Sequence, residues 1–224
     1  MSESDKPGYA AIVRHYEAML SQHHSGPLAV DWKNTHDAGV RYDVMLGLLG
    51  TGRAPVSLLD FGCGLGELKK HIDARGLDHI RYEGLEISRR FADAARERLP
   101  GVPIHCMDVL APGIGLEEFD YVVMNGIFTR RQSLTHAQML DYLERLVAKV
   151  FAAARRGLAF NVMSPCVDWK GEALFHPTFD EIVAIVERTL SRHFVLRNDY
   201  GLYEFTCYVY REPWGSTTHS SSRP

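Results

Sequence analysis

The sequence predicts an α/β fold: a mostly parallel sheet with helices on both faces, closed by an antiparallel pair of strands. Three observations carry this. From Pro55 onward, short apolar runs alternate with helical patterns, the signature of parallel strands joined by crossover helices. The first apolar run passes into a glycine turn and a helix, in "LLDFGCGLGELKKHI" (58–72). The last two strand-like runs, "HFVLRNDY" and "YEFTCYVYR", are separated only by Gly201 and Leu202. A parallel crossover needs a dozen residues or more, so this pair must be a hairpin.

Ahead of the sheet, Tyr9, Ile12, Val13, Tyr16, Met19 and Leu20 recur at the spacing of one helical face, and "HHSGP" stops the helix. A loop through "AVDWKN" leads to a second helix, with Thr35 as its predicted N-cap and Gly50 as its end. Next come the strand "VSLLDF", a helix from about Gly66, the strand "RYEGLEI" and a helix capped by Ser88. "VPIHCMD" is the third strand and "DYVVMNGIF" the fourth. A long helix follows from about Thr135, then the fifth strand "GLAFNVM" and the helix "DEIVAIVERTL". Residues 1–35 read as an N-terminal helix and lid segment, 36–211 as the main domain, and 212–224 as a low-complexity, disordered tail.

The chain of 224 residues is 46% hydrophobic and 24% charged, enough to build a sizeable core. Its formal charge of −3 gives no broad field for a nucleic-acid backbone or an anionic membrane, and no run reaches membrane-spanning length. Four scattered cysteines without a CxxC pair read as reduced thiols of a cytoplasmic protein, with no metal site.

Gly62, Gly64 and Gly66 form GxGxG. A dinucleotide fingerprint puts a third glycine at position 67, which here is Glu67, and a carboxylate at that helix start opposes a pyrophosphate. Asp60 stands two residues before the first glycine, Glu86 ends the second strand and Asp108 ends the third. Each alone can be a turn former. Together they surround the edge at which open α/β sheets bind ligands, and they suit a ligand carrying cationic groups and a nucleoside.

In these residues the chain resembles the class I S-adenosylmethionine-dependent methyltransferases, in particular a bacterial small-molecule subgroup with an expected place in secondary metabolism. "LLDFGCGLGE", "YEGLEIS", "IHCMDVL" and "FDYVVMNGIF" are similar to the family's successive motifs, and "NDYGLYEFTCYVYR" to its closing hairpin. The resemblance implies a Rossmann-like seven-stranded sheet in the order 3-2-1-4-5-7-6 with strand 7 antiparallel. It implies S-adenosylmethionine as cofactor and S-adenosylhomocysteine as product. Asp60, Gly62 and Gly64 would hold the methionine portion, Glu86 the ribose, Asp108 and Val109 the adenine, while Asn125 and Gly126 face the sulfonium. Cys63 and Ile87 complete this set, and "DWKNTHDAGVRYDVML" adds Trp32 over the cofactor and Arg41 at its carboxylate.

Methyl transfer needs an acceptor held in line and kept dry, with a base only where a proton must leave early. An antiparallel last strand would bring Tyr200, Tyr203 and Glu204 to the rim of the site. "GIFTRRQ" and "SPCVDWKGEALFH" would form its walls. Phe128, Tyr200, Tyr203 and Glu204 are therefore the expected substrate contacts, and Glu204 and His36 the candidate bases. Each has a plainer reading: Tyr203 as a core position, Phe128 as packing, His36 as a helix start. The aromatic rim, Trp32, Phe128, Trp169, Tyr200 and Tyr203, suits a flat or partly apolar small molecule accepting at oxygen or nitrogen. "NGIF" keeps the ends but not the prolines of the motif found in base-methylating enzymes, so a nucleic acid is not favoured. The rivals are a nucleotide-dependent oxidoreductase and a non-catalytic binding module.

Overall fold

The computed structural model describes residues 8–24, 26 and 34–214. Trp32, the loop around it and the tail from residue 215 lie outside the described residues. The sheet has seven strands: β1 (Val56–Phe61), β2 (Ile80–Glu86), β3 (Ile104–Cys106), β4 (Phe119–Phe128), β5 (Ala154–Met163), β6 (His193–Arg197) and β7 (Glu204–Tyr210). Their order is β3-β2-β1-β4-β5-β7-β6. β7 runs antiparallel to both β5 and β6, and the remaining pairs are parallel. The order and the antiparallel closing strand match the expectation.

Among the described residues, six α-helices accompany the sheet: α1 (Ala10–His23), α2 (Thr35–Leu46), α3 (Glu67–Ala74), α4 (Arg89–Arg98), α5 (His136–Ala152) and α6 (Phe179–Thr189). The predicted cap of α2 moves by one residue. Asn34 is extended and its side chain accepts the Asp37 amide at 2.8 Å, so Thr35 is the first helical residue. Ser88 caps α4 as expected, accepting from the Phe91 amide. Both α5 and α6 begin with reciprocal capping boxes, Thr135 with Gln138 and Thr178 with Glu181, which fix where each crossover turns back.

The sheet is buried on both faces, as a mostly parallel sheet must be. One face carries Leu59, Val122, Met124 and Phe160 beneath α5 and α6. The other carries Leu58, Val123 and Ala159 beneath α2, α3 and α4. Every residue of β7 is buried: Phe205, Cys207 and Val209 on the first face, Tyr208 and Tyr210 on the second.

Phe128 belongs to this core. The β4–β5 register pairs Met124 with Phe160 but Phe128 with Val162, so β4 carries a bulge there. Gly126 at its centre has φ 81°. Beyond the bulge Phe128 returns to the face of Val122 and Met124, fully buried, with edge-on contacts to Tyr142 and Phe160. Its expected role as a substrate contact is corrected: it packs α5 onto the sheet. Phe128→Ala should lower the unfolding free energy by about 3–5 kcal/mol, measured by urea denaturation.

Candidate functional site

A cavity of about 150 Å³ opens at the carboxyl ends of β1, β2, β3 and β4. The glycine turn forms its floor. Gly62 donates its amide to the Leu85 carbonyl at 2.7 Å and has φ 75°, and a Cβ there would lie 2.6 Å from the Ile127 side chain. Both the left-handed backbone and the space require glycine. Gly66, also at φ 75°, starts α3 against Leu99 in the same way.

Three carboxylates line the cavity from successive strands. Asp60 is buried and accepts a hydrogen bond from the Tyr82 hydroxyl at 2.8 Å. Burial pushes its carboxyl up to about 7, with Tyr82 pulling down and Glu86 adding to the rise. Glu86 accepts the Gly64 amide at 3.1 Å and the Ser88 amide at 2.9 Å. Burial raises its carboxyl, and those amides oppose the rise. Asp108 accepts the Leu110 amide at 3.0 Å and the Tyr9 hydroxyl at 2.6 Å. Glu67, the fourth acid of the lining, accepts from Lys70 and Arg98. Among the described residues, no lysine, arginine or histidine lines this cavity.

Helix α1 closes the cavity from above with Tyr9, Ile12, Val13 and Tyr16. It is fixed at one end by Tyr9, stacked on Tyr142 and bonded to Asp108. Farther along, the Ser88 hydroxyl donates to Glu17 at 2.6 Å. Of the expected cofactor residues, Asp60, Gly62, Cys63, Gly64, Glu86, Ile87, Asp108, Val109, Asn125 and Gly126 all line this cavity. Arg41 does not, and Trp32 lies outside the described residues.

Arg41 instead lines a second cavity of about 290 Å³, where its Nε donates to both oxygens of Glu204 at 3.0 Å. The guanidinium that the resemblance assigned to a ligand carboxylate is held by a carboxylate of the chain itself. Glu204 is buried and also accepts from Asn161 Nδ2 at 3.1 Å; burial raises its carboxyl while Arg41 and Asn161 pull it down. Asn161 in turn accepts the Gly126 amide at 2.7 Å and donates to Asn125 Oδ1 at 3.3 Å. A buried chain of hydrogen bonds thus connects the first cavity to the second, and Tyr16 lines both.

The walls of the second cavity come from the predicted loops. The Arg131 amide donates to Ala173 and the Phe175 amide to Thr129, both at 2.9 Å, tying the segment after β5 to the segment after β4. Tyr203 and Trp169 line it and are 61% and 69% exposed, so the reading of Tyr203 as a core position gives way to one at the cavity mouth. Tyr200 is half-buried, bonded to the Thr206 hydroxyl, and lines neither cavity. His36 is exposed on the first turn of α2 and also lines neither, which removes it as a base in this arrangement.

Asn161 and His176 are among the site residues that escape the sequence reading. Asn161 is a fully buried polar side chain inside an apolar strand, a signal in its own right, because such a group survives only when satisfied. His176 ends the quoted wall segment and lines the second cavity.

Residues 59–157 match the methyltransferase domain family. A Mycobacterium tuberculosis protein, Rv1506c, itself named only as a candidate methyltransferase, is 32% identical over 157 residues, covering 69% of this chain and 93% of its own. Among solved structures, magnesium protoporphyrin IX methyltransferase from Synechocystis, with S-adenosylmethionine bound, superposes with a TM-score of 0.63 at 15% identity, covering 94% of this chain and all of its own. CalS10, an amino pentose methyltransferase from Micromonospora echinaspora, superposes at 0.55 with 20% identity, covering 88% and 97%. The sequence kinship with these domains, on a sheet of the same order, makes the chain a member of the methyltransferase family with the class I fold.

Proposed function

We propose that the chain is an S-adenosylmethionine-dependent enzyme that transfers a methyl group to an oxygen or nitrogen of a small molecule. The observation that carries this reading is the charge of the first cavity: four acids and, among the described residues, no cation in its lining. A pyrophosphate finds no counter-charge in that lining, and the start of α3 carries Glu67 in place of the fingerprint's third glycine. A ligand with an ammonium, a sulfonium and a nucleoside fits this donor set. Asp60 offers a carboxylate beside the glycine turn. Glu86 keeps lone pairs for ribose hydroxyls, because an ionised carboxylate has about four acceptor sites. Asp108 and Val109 suit the adenine.

When bound, S-adenosylmethionine supplies an electrophilic methyl group on a sulfonium whose charge disperses during transfer. The chain contributes enclosure and position. The α1 roof excludes water from the first cavity, and Asn125 and Gly126 are fixed at the inner end by Asn161. The second cavity, reached past Tyr16, takes the acceptor. The apolar side chains Met163, Val167, Leu174 and Leu202 and the rings of Trp169 and Tyr203 favour a partly apolar, flat molecule.

Calorimetric titration should show binding of S-adenosylhomocysteine and none of NADH; the reverse would overturn the reading. The affinity should also depend on pH. Asp60 gains a proton on folding because burial raises its carboxyl from 3.8 to about 7. Its contribution to stability is therefore largest in acid and falls as pH rises through about 7. A ligand ammonium favours the ionised form, so S-adenosylhomocysteine should bind more tightly as pH rises through that value, with proton release. Asp60→Asn should abolish the step and lower affinity above it about tenfold.

Tyr9 donates to the carboxylate assigned to the adenine amino group. Tyr9→Phe keeps the ring on Tyr142 and removes the competing hydroxyl. It should tighten S-adenosylhomocysteine binding about five- to tenfold, read by the same titration.

A further inference from the structure

We propose that His176 is the general base of the reaction, and that the second cavity takes an aromatic hydroxyl compound whose proton passes to His176 Nε2. The proposal rests on the methyltransferase reading above and adds the acceptor class and the proton's destination. His176 Nδ1 lies 2.7 Å from the Ser164 carbonyl. A carbonyl can only accept, so Nδ1 carries the hydrogen, and in the neutral ring Nε2 is left with its lone pair. Nε2 is buried and has no hydrogen-bond partner among the described residues, in a side chain that lines the second cavity. A buried polar atom left unsatisfied in a folded chain calls for an explanation. A hydroxyl arriving with the acceptor provides one.

The surroundings hold the imidazole in this role. Ser164 is buried and its amide is bonded to the Tyr203 carbonyl, so the carbonyl that sets the tautomer is itself anchored to the start of β7. Phe175, the preceding residue, is fully buried and packs against His136, which fixes the backbone beneath His176. Glu204 is the less suited base of the same cavity. Both its oxygens accept from Arg41 and one also from Asn161. Asp37 and Asp168 also line the cavity, and Trp169 and Tyr203 at its mouth present exposed rings to a flat acceptor. In the transfer, the acceptor oxygen forms its bond to the methyl carbon. The carbon–sulfur bond breaks with its electron pair left on sulfur, and the hydroxyl proton ends on Nε2. The positive charge of the sulfonium is thereby matched by the imidazolium.

The probe is 4-nitrophenol, added to the full chain saturated with S-adenosylhomocysteine at a pH below the phenol's own pKa. No methyl group is then available, and proton transfer is read directly as the phenolate absorbance band. The wild type should show the band. His176→Asn, whose amide can keep the donor to Ser164, should lose it while its affinity for S-adenosylhomocysteine changes less than about twofold. With labelled S-adenosylmethionine, methyl transfer to the same phenol should fall about 100-fold or more in the variant. A band or a rate that persists in His176→Asn assigns the proton to another group and overturns the proposal. So does a wild-type complex that binds S-adenosylhomocysteine but not the phenol. A chain that fails to bind S-adenosylhomocysteine at all instead removes the methyltransferase reading on which the proposal stands.

Discussion

The site hangs on one buried amide. Asn161, fully inaccessible in the middle of the sheet, accepts from the Gly126 backbone and donates to Asn125 and Glu204. The Gly126 N–H needs an acceptor and the carboxylate needs a donor, so the amide has one orientation only. This matters because the β4 bulge takes Gly126 out of regular pairing with β5. Its N–H would otherwise be a buried orphan, costing about 1–3 kcal/mol. The same side chain steadies the Glu204 carboxylate, which holds Arg41 and so ties α2 to β7. A buried ion pair of this kind adds little net stability, but it fixes how the elements meet.

The electrostatics of the first cavity follow from strand ends rather than from flexible side chains. Asp60, Glu86 and Asp108 each follow or end a strand paired in the sheet, so the backbone sets their positions before any ligand arrives. Each is satisfied by a tyrosine hydroxyl or a backbone amide rather than by a cation. Hydrogen bonds of that kind make burial tolerable without neutralising the charge. Burial still raises the Asp60 and Glu86 carboxyls against those bonds. A cationic ligand relieves the cost of that burial on arrival, which converts stored desolvation into affinity.

Legibility in the sequence divides along the same line. The glycine turn, the three acids and the hairpin of β6 and β7 were readable because each depends on local chemistry: φ > 0, a strand end, a connection too short to cross over. The cap of α2 slipped from Thr35 to Asn34 because both residues are good caps and only the extended backbone at Asn34 decides between them. Phe128 was misplaced because the bulge that returns it to the core has no strong sequence signal beyond one glycine. Arg41 was read as a ligand contact, and its partner lies 163 residues away on β7. No periodicity carries information over that separation. Tyr200 and His36 failed for the same reason, since proximity in the fold decides which polar residues reach a cavity.

The second cavity was legible only as two loops, and the way those loops are joined explains why. Thr129 and Arg131 are tied to Ala173 and Phe175 through backbone groups alone. Such contacts constrain the path of the chain but leave side-chain identity open, apart from the buried anchor Phe175. Trp169, Leu174 and His176 of this wall lie outside the strands and outside the lining of the first cavity. The first cavity, by contrast, is built on glycines and strand ends that the sheet itself holds in place. The second cavity adds the loop side chains Trp169, Leu174 and His176 to the Arg41–Glu204 pair that the sheet anchors. On the proposed reading the first cavity holds the methyl donor and the loop side chains of the second set the acceptor, where His176 Nε2 is left unsatisfied.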